Sequence, residues 1–558
     1  MPVVRTSIAR LTRLVGINDV EKIVETLFNL KCETELENSE GIAIEVPSER
    51  IDMFSIEGIA YAIRLYLGLE KPRLTTPKPS FKVLVEPPTK RPYIAVAAVK
   101  GVELDENSLK ELIEFQERLH TTYGRNRRRI AIGLHDLSKL PSSNLTYKEV
   151  DINISYMVPL FAKKRMTVKE VLVSTEQGKL YGEISLNGDR HPALFSGNEI
   201  IALPPVINSD ITRLDPTTRD IFVDVTGTDI NAVISVLNSI VHSLMFYRGE
   251  VLGAEIVYPD RVLLTPDLDF KTIVVDMDFA SRWLGVPKDK LVSEVPKALQ
   301  RMGYIVQSIN LEQIEVKVPP YRGDILHQVD VVEDIAIGIG YENLGIEYIQ
   351  TYPEKKPGKD SKKLMVEVLR EVLVGLGYIE VNTLSLISSE ILKLVSDEPF
   401  PRIVNALSKE LDAVRNSLIP SLLITFKNSQ YATLPVKIFE IGEVVERCNE
   451  CYNNWRNSLR AAFGVMDSEI RFEEIHADLY SVLMEIGVSK DISLEPYRRK
   501  GFIDGRCGLV KYRDSVIGVI GEIHPEVLKF IGLEYPVAIV ELYLELLTDI
   551  IEEVYLNS

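Results

Sequence analysis

The sequence predicts a multidomain α+β protein, and three observations carry that expectation. The chain has 558 residues, more than one hydrophobic core normally organises, so about three to five domains are expected. Helical and strand-like apolar spacings alternate along it, with no short-period repeat. Two polar stretches interrupted by Pro, residues 70–82 and 351–363, read as linkers. The expected divisions are therefore 1–82, 83–263, 264–350, a linker at 351–363, and 364–558.

Composition narrows the class. The chain is 46% hydrophobic and 26% charged, the balance of a soluble globular protein. It has no run of about 18 uninterrupted apolar residues, so no membrane span is expected. Its first residues carry no apolar block of signal-peptide kind. Four cysteines make no disulfide framework in a chain this long, so a reducing, cytoplasmic compartment is expected. The net charge of −17 argues against a surface that binds nucleic acid everywhere. Any RNA contact must be local, or be led by a more basic partner.

In region 1–82, residues 20–30 have helical spacing, 42–46 read as a strand, and 55–68 read as a helix stopped by Gly68. In region 83–263, residues 94–101 read as an apolar strand and 109–120 as a helix. Tyr123-Gly-Arg-Asn-Arg-Arg-Arg129 is the densest positive run, and it leads through 130–134 to His135 and Asp136. Such a cluster beside a strand is able to hold a phosphate backbone. A solvated loop offsetting nearby acids is the other reading.

Further on, Leu203-Pro-Pro-Val-Ile-Asn-Ser209 and Asp220-Ile-Phe-Val-Asp-Val-Thr-Gly-Thr-Asp229 each join apolar residues to a small polar cluster. Strand ends of this kind line pockets, and equally they form plain turns. The candidate lining residues are His135, Asn208, Ser209, Thr226 and Asp229. No Ser-His-Asp or Cys-His spacing marks a nucleophile. His135 also reads as a hydrogen-bonded structural histidine.

In region 264–350, residues 278–285 and 295–303 read as helices, and 304–318 as a strand pair across Asn310. Then comes Pro319-Pro-Tyr-Arg-Gly-Asp-Ile325 and a helix. Asp324 reads as its N-cap. Ile325, Val329, Val332, Ala336 and Ile339 form one apolar stripe. Asp330, Glu333 and Asp334, spaced i, i+3, i+4, fall on the other side. Like charges so placed repel unless a cation or a basic partner neutralises them. A solvated acidic face and a cation site both remain open.

In region 364–558, residues 364–376 read as a helix ended by Gly377, and 378–387 as a strand. Cys448-Asn-Glu-Cys451 is a lone Cys-x-x-Cys. Zinc needs a second pair, or histidines at suitable spacing, so an exposed loop is expected there. No phosphate-binding P-loop is visible.

The Pro319–Ile325 turn, the acidic helix and Gly340-Tyr341 together resemble the signature of phenylalanyl-tRNA synthetase beta subunits, in their archaeal and eukaryotic form. The blocks at Leu203–Ser209 and Thr226–Asp229 resemble that family's editing module. Residues 414–423, 437–445 and 518–526 resemble its catalytic-like domain. The resemblance implies an editing-type α/β domain, a small winged-helix-like domain, and a non-catalytic class II synthetase-like antiparallel sheet domain. It implies magnesium (Mg2+) at Asp324, Asp330, Glu333 and Asp334, whose hard oxygens suit that ion. It further implies an alpha-subunit partner in an alpha2beta2 heterotetramer, phenylalanine tRNA as substrate, and ATP used by the holoenzyme. Editing has a physical motive: a pocket that accepts phenylalanine cannot strongly reject tyrosine, which only adds a hydroxyl.

The chain departs from the family in places. It has Glu49-Arg50-Ile51-Asp52 where the family has Asn-Arg-Pro-Asp, and Asn416 and Ser421 replace family residues. No arginine follows Arg513, so the ATP-clamping arginine of class II sites has no counterpart. An acidic exposed helix repels phosphate, so no DNA binding is expected. The rival expectations are a free-standing deacylase of mischarged tRNA and a scaffold whose pocket is inert.

Overall fold

The computed structural model describes residues 2–37, 40–102, 104–344, 360–488 and 490–548. They fall into two units, 1–349 and 350–558. Residues 351–359 of the expected linker lie outside the described residues, and Asp360 already caps a helix, Ser361–Gly375. That helix begins three residues before the expected start, because a capping Asp serves its first free N–H groups.

In the first unit, Asp19 and Ser55 accept backbone N–H bonds at the starts of the helices Val20–Asn29 and Ile56–Tyr66. Gly58 in the second helix is obligatory. A Cβ there would lie 1.8 Å from the Asp52 carbonyl oxygen. The strand Gly41–Glu45 pairs antiparallel with Val3–Ser7 and with Glu33–Glu37.

A mixed sheet follows. Its main path runs Ile207–Asn208, Glu199–Leu203, Arg190–Ser196, Asn144–Asp151, Lys78–Val85, Glu250–Val257, Tyr93–Lys100, Ile221–Gly227 and Ile130–Asp136. Lys78–Val85 is parallel to both neighbours, and the other pairs on the path are antiparallel. The apolar helix Ile230–Leu244 packs on the Tyr93–Lys100 and Ile221–Gly227 strands.

Strands Lys271–Asp276, Ile305–Ile309 and Gln313–Val318 then form a small sheet. The helices Met277–Leu284, Lys288–Arg301 and Gln328–Ile339 accompany it. Asn310 turns the hairpin as expected, its Oδ1 accepting the N–H groups of Glu312 and Gln313. One core runs from Val4 and Ile59 through Val223 and Val236 to Leu299 and Ile335. The three sequence regions of this unit all contribute to that core, and two further cores, around Val83 and Leu145 and around Val168 and Leu203, lie within it.

The second unit is built on a sheet ordered Ile379–Glu380, Val436–Arg447, Trp455–Met466, Val537–Tyr543, Ser515–Ile523, Phe502–Tyr512 and Ile492–Pro496. Alternate residues feed two cores. Phe439, Phe463 and Val540 meet the helices Ser361–Gly375 and Phe472–Glu485. Ile438, Ala462 and Ile539 meet Ile419–Ser429 and Pro525–Ile531. The strand expected at 378–387 is only two short pairs, Ile379–Glu380 and Leu386–Ile387.

Cys448 and Cys451 are joined by a disulfide, which corrects the reading of this stretch as a plain loop. It bridges the turn between the paired strands Val436–Arg447 and Trp455–Met466. The turn brings the two Cα atoms to 5.4 Å, within reach of a disulfide bridge.

Candidate functional site

A pocket of about 490 Å³ opens in the first unit between the helices Glu106–Thr121 and Glu176–Ser185 and the strands that carry Gly133, Leu203, Asn208 and Asp224. Leu134, Leu203, Pro205 and Val206 give it apolar walls. Asp224, 1% exposed, sits at its floor. Its Oδ2 accepts from His135 Nε2 at 2.8 Å. An ionised carboxylate only accepts, so Nε2 donates, and Nδ1 hydrogen-bonds the Thr212 hydroxyl at 2.6 Å. Asp224 reaches across the sheet because its register partner is Gly133. A Cβ on Gly133 would lie 2.0 Å from Asp224 Oδ2 and 2.8 Å from His135 Nε2.

One side of the mouth is held by a polar chain. The Ile132 N–H donates to His120 Nε2 at 2.8 Å, which leaves the proton on Nδ1, facing Glu117 at 3.0 Å. Arg127 donates to Glu117 at 2.8 Å and to the carbonyls of Pro205 and Val206, and it stacks on Tyr181. Burial opposes ionisation of Glu117, but His120 and Arg127 outweigh it and hold the carboxyl at about 2. Burial pushes His120 below the ordinary imidazole range. The arginine run turns here through three left-handed residues, Arg125, Asn126 and Arg127. Arg91, wholly buried, ties it down by donating to the carbonyls of Thr226 and Arg127 and to Ser185 Oγ. With no carboxylate beside it, burial lowers that guanidinium to about 10.

The structure separates the five predicted pocket residues. Asn208 and Ser209 line the cavity. Asn208 Nδ2 donates to the Leu134 carbonyl, so its Oδ1 is left for a ligand. Ser209 Oγ donates to the Val158 carbonyl and accepts from Ile211 N–H, which makes it a poor nucleophile. His135 is behind the wall and positions Asp224. Thr226 is buried outside the lining, with a hydroxyl that finds no partner among the described residues. Asp229 caps the Ile230–Leu244 helix and pairs with Arg129 at 2.8 Å.

The acidic segment folds differently from the expectation. Its helix is Gln328–Ile339, capped by His327 rather than Asp324. The buried stripe is centred on Val331, Val332 and Ile335, which turns Asp334 inward to 3% exposure. Arg322 takes both Asp324 oxygens at 3.0 and 2.7 Å and pairs with Asp334 at 2.7 Å. Tyr304 donates to Asp334 at 2.6 Å. Burial opposes the charge on Arg322, but Asp334 and Asp324 outweigh it and keep the guanidinium ionised. Asp330 accepts the N–H groups of Leu326 and His327, and Glu333 pairs with Lys31 at 2.8 Å. No group of three potential metal ligands forms among the described residues. As arranged, the four carboxylates do not fit one magnesium ion, because a guanidinium holds two of them.

Comparison with known proteins decides the family. A model of the tRNA synthetase B5 domain matches residues 273–341, and one of the phenylalanyl tRNA synthetase beta chain CLM domain matches 349–544. The phenylalanine–tRNA ligase beta subunit of Saccharolobus solfataricus is 37% identical over 543 residues, 96% of each chain. That of Sulfurisphaera tokodaii is 37% identical over 558 residues, 99% of this chain and 100% of its own. The chain belongs to the family of phenylalanine–tRNA ligase beta subunits. It is thus a component of an aminoacyl-tRNA synthetase, a ligase. An N-terminal fragment of the phenylalanyl-tRNA synthetase beta-subunit from Pyrococcus horikoshii matches its fold with a TM-score of 0.57 at 32% identity. The match covers 61% of this chain and all of the fragment.

Sequence reasoning missed Asp224, Gly133, Thr212 and Arg91 in this beta-subunit family member. A signal for Asp224 was present: a lone carboxylate inside the apolar run 221–225 must be partnered if buried. Arg91 had no such signal, since a single Arg between Lys90 and Pro92 looks like any solvated one.

Proposed function

We propose that this chain is the assembly and editing subunit of a phenylalanine–tRNA ligase, and that it hydrolyses tyrosyl-tRNA in the Asp224 pocket. The observation that carries the reading is a buried carboxylate, fixed by His135, at the floor of a cavity large enough for an aromatic amino acid. A tyrosyl ester would lay its ring against Leu134, Leu203 and Val206. Its α-ammonium would meet Asp224, the opposite charge, in a site of reduced dielectric. Asn208 Oδ1 is placed to accept from the attacking water. Water adds at the ester carbonyl, the bond to the ribose oxygen breaks, and a proton passes to that oxygen. No side chain here acts as a covalent nucleophile.

Synthesis belongs to an alpha-subunit partner in an alpha2beta2 assembly, which uses ATP and magnesium in the cytoplasm. The second unit supports this division. Its buried arginines Arg415 and Arg460 are spent on Glu440 and Glu446, so neither is left to clamp a triphosphate. We read this unit as a non-catalytic class II-like domain, and the hairpin and helices of 273–341 as winged-helix-like. The test is deacylation of tyrosyl-tRNA, and aminoacylation of phenylalanine tRNA, by this chain alone and with the alpha chain. Deacylation by the assembled enzyme, with aminoacylation only on mixing, is expected. Deacylation by a stable lone monomer favours a free-standing deacylase. No deacylation in either state leaves a scaffold.

A further inference from the structure

The four cysteines are of two kinds. Cys32 and Cys507 are free and buried. Burial pushes their thiols up, to about 12 and about 11, so both stay protonated and out of reach of a reagent in solvent. Cys448 and Cys451 are half-buried and bridged. Asn449, Glu450, Tyr452, Asn453 and Asn454 around them are all exposed, which opens the bridge to small molecules.

The turn has its own hold on its shape. The Cys448 N–H donates to the Asn454 carbonyl at 3.0 Å, and the Asn454 N–H donates to the Cys451 carbonyl at 3.0 Å. Asn453 and Asn454 are left-handed, with φ at +64° and +60°, a conformation that Asn tolerates better than most residues. On either side, Val436–Arg447 pairs in unbroken register with Trp455–Met466. The backbone thus keeps the two Cα atoms near 5.4 Å, a spacing at which the sulfurs join without moving the sheet. A metal needs further ligands, and no group of three forms among the described residues. Exposed bridges are the readily reduced ones.

We propose that Cys448 and Cys451 are a reversible dithiol–disulfide couple, oxidised by low-molecular-weight disulfides and reopened by thiols. One cysteine thiolate attacks the incoming disulfide and releases one thiol. The second cysteine then displaces the other thiol as the Cys448–Cys451 bond forms. Two electrons pass to the oxidant, and the two cysteine protons end on the released thiols. Reduction runs the same steps backwards. The oxidised turn braces the end of the strand pair, and the reduced turn leaves its tip looser. None of this depends on the editing reading.

The experiment treats the full chain with excess oxidised glutathione, then with excess reduced glutathione, and alkylates free thiols at each stage. Peptide mass spectrometry should find the 448–451 peptide bridged after the first treatment and alkylated at both cysteines after the second. Cys32 and Cys507 should be labelled only in denaturant, which shows that the fold persists throughout. The oxidised chain should unfold about 2–4 °C above the reduced one. Cys448→Ser with Cys451→Ser should match the reduced chain under both conditions. A bridge that survives excess reduced glutathione is a permanent brace, and a pair that stays open to alkylation under oxidised glutathione forms no couple. Either result overturns the proposal. So does glutathione held stably on one cysteine, because the other then fails to displace it.

Discussion

Asp224 in the pocket and Asp334 in the acidic segment are almost equally buried, at 1% and 3% exposure. Each accepts from neighbouring side chains, and each lies in a stretch where sequence suggests chemistry. They differ in what surrounds them. Asp334 has the Arg322 guanidinium at 2.7 Å and the Tyr304 hydroxyl at 2.6 Å, and its neighbour Asp324 shares the same arginine. Asp224 has the His135 imidazole at 2.8 Å, and beyond it an open cavity. A buried carboxylate with a full cation beside it is spent on the fold. One held by a single imidazole, and which faces a cavity, is placed to meet a ligand. On the proposed reading the denser acidic cluster serves the fold, and the isolated Asp serves the pocket.

The sharpest way to break this contrast is to remove the cation. Arg322→Met leaves Asp334 and Asp324 without their guanidinium, and losing one partner of a buried pair costs about 3–5 kcal/mol. Denaturant unfolding of the full chain checks it. A loss below about 1 kcal/mol would mean that the pair is not what satisfies these acids. Asp224→Asn keeps the shape and removes the charge. It should lower kcat/KM for tyrosyl-tRNA deacylation about a hundredfold, within the ~2–5 kcal/mol of an unpaired buried charge. Stability should change little. A large loss of stability with activity kept would reverse the roles assigned to Asp224 and Asp334.

Much of the fold was legible because caps and stops are local. Ser55 and Gly68 start and stop their helix where the sequence puts them, and Asp19 and His524 cap theirs in the same local way. The acidic helix was misread by three residues because Asp324 and His327 both precede apolar spacing. Counting Ile325 and Val329 into the stripe put Asp334 on the polar side, whereas the helix buries a broader face that takes in Val331, Asp334 and Ile335. The helix Lys288–Arg301 was read only from 295, because Pro296 inside it looks like a boundary. The pocket was half legible. Asn208 and Ser209 lie where the strand ends suggested, but Asp224 sits in a strand buried on both faces, where alternation carries no signal. Arg91 and Thr212 act through contacts distant in sequence, which no local pattern encodes.

The same contrast has a pH dependence. His191 is wholly buried, and burial lowers it to about 4; His120 is lowered too. Their folded values lie below the unfolded value of about 6.5. Above pH 7 neither form binds the proton, and stability is flat. As pH falls below about 6.5 the unfolded chain binds protons that the folded chain does not, so stability falls. For His191 the loss runs to about pH 4, at up to ~1.4 kcal/mol per pH unit. Unfolding midpoints at pH 7 and pH 5 measure it, and His191→Phe should flatten the slope. An unchanged slope would place the titrating group elsewhere.

The smallest effect falls on the exposed carboxylates of the acidic segment. Glu333 and Lys31 form a half-exposed pair, and such pairs contribute about 0–1 kcal/mol. Asp330 adds its hydrogen bonds to Leu326 and His327 at the helix start, worth about 1 kcal/mol for a cap. Glu333→Gln alone should therefore leave the unfolding midpoint nearly unchanged, while Asp330→Ala lowers it modestly. Stripping divalent ions with a chelator should add nothing to either change. This expectation follows from Arg322 holding both Asp324 and Asp334. A chelator that destabilises wild type by several kcal/mol, and spares Asp330→Asn with Glu333→Gln, would show that magnesium displaces the guanidinium and that this cluster opens when the ion binds.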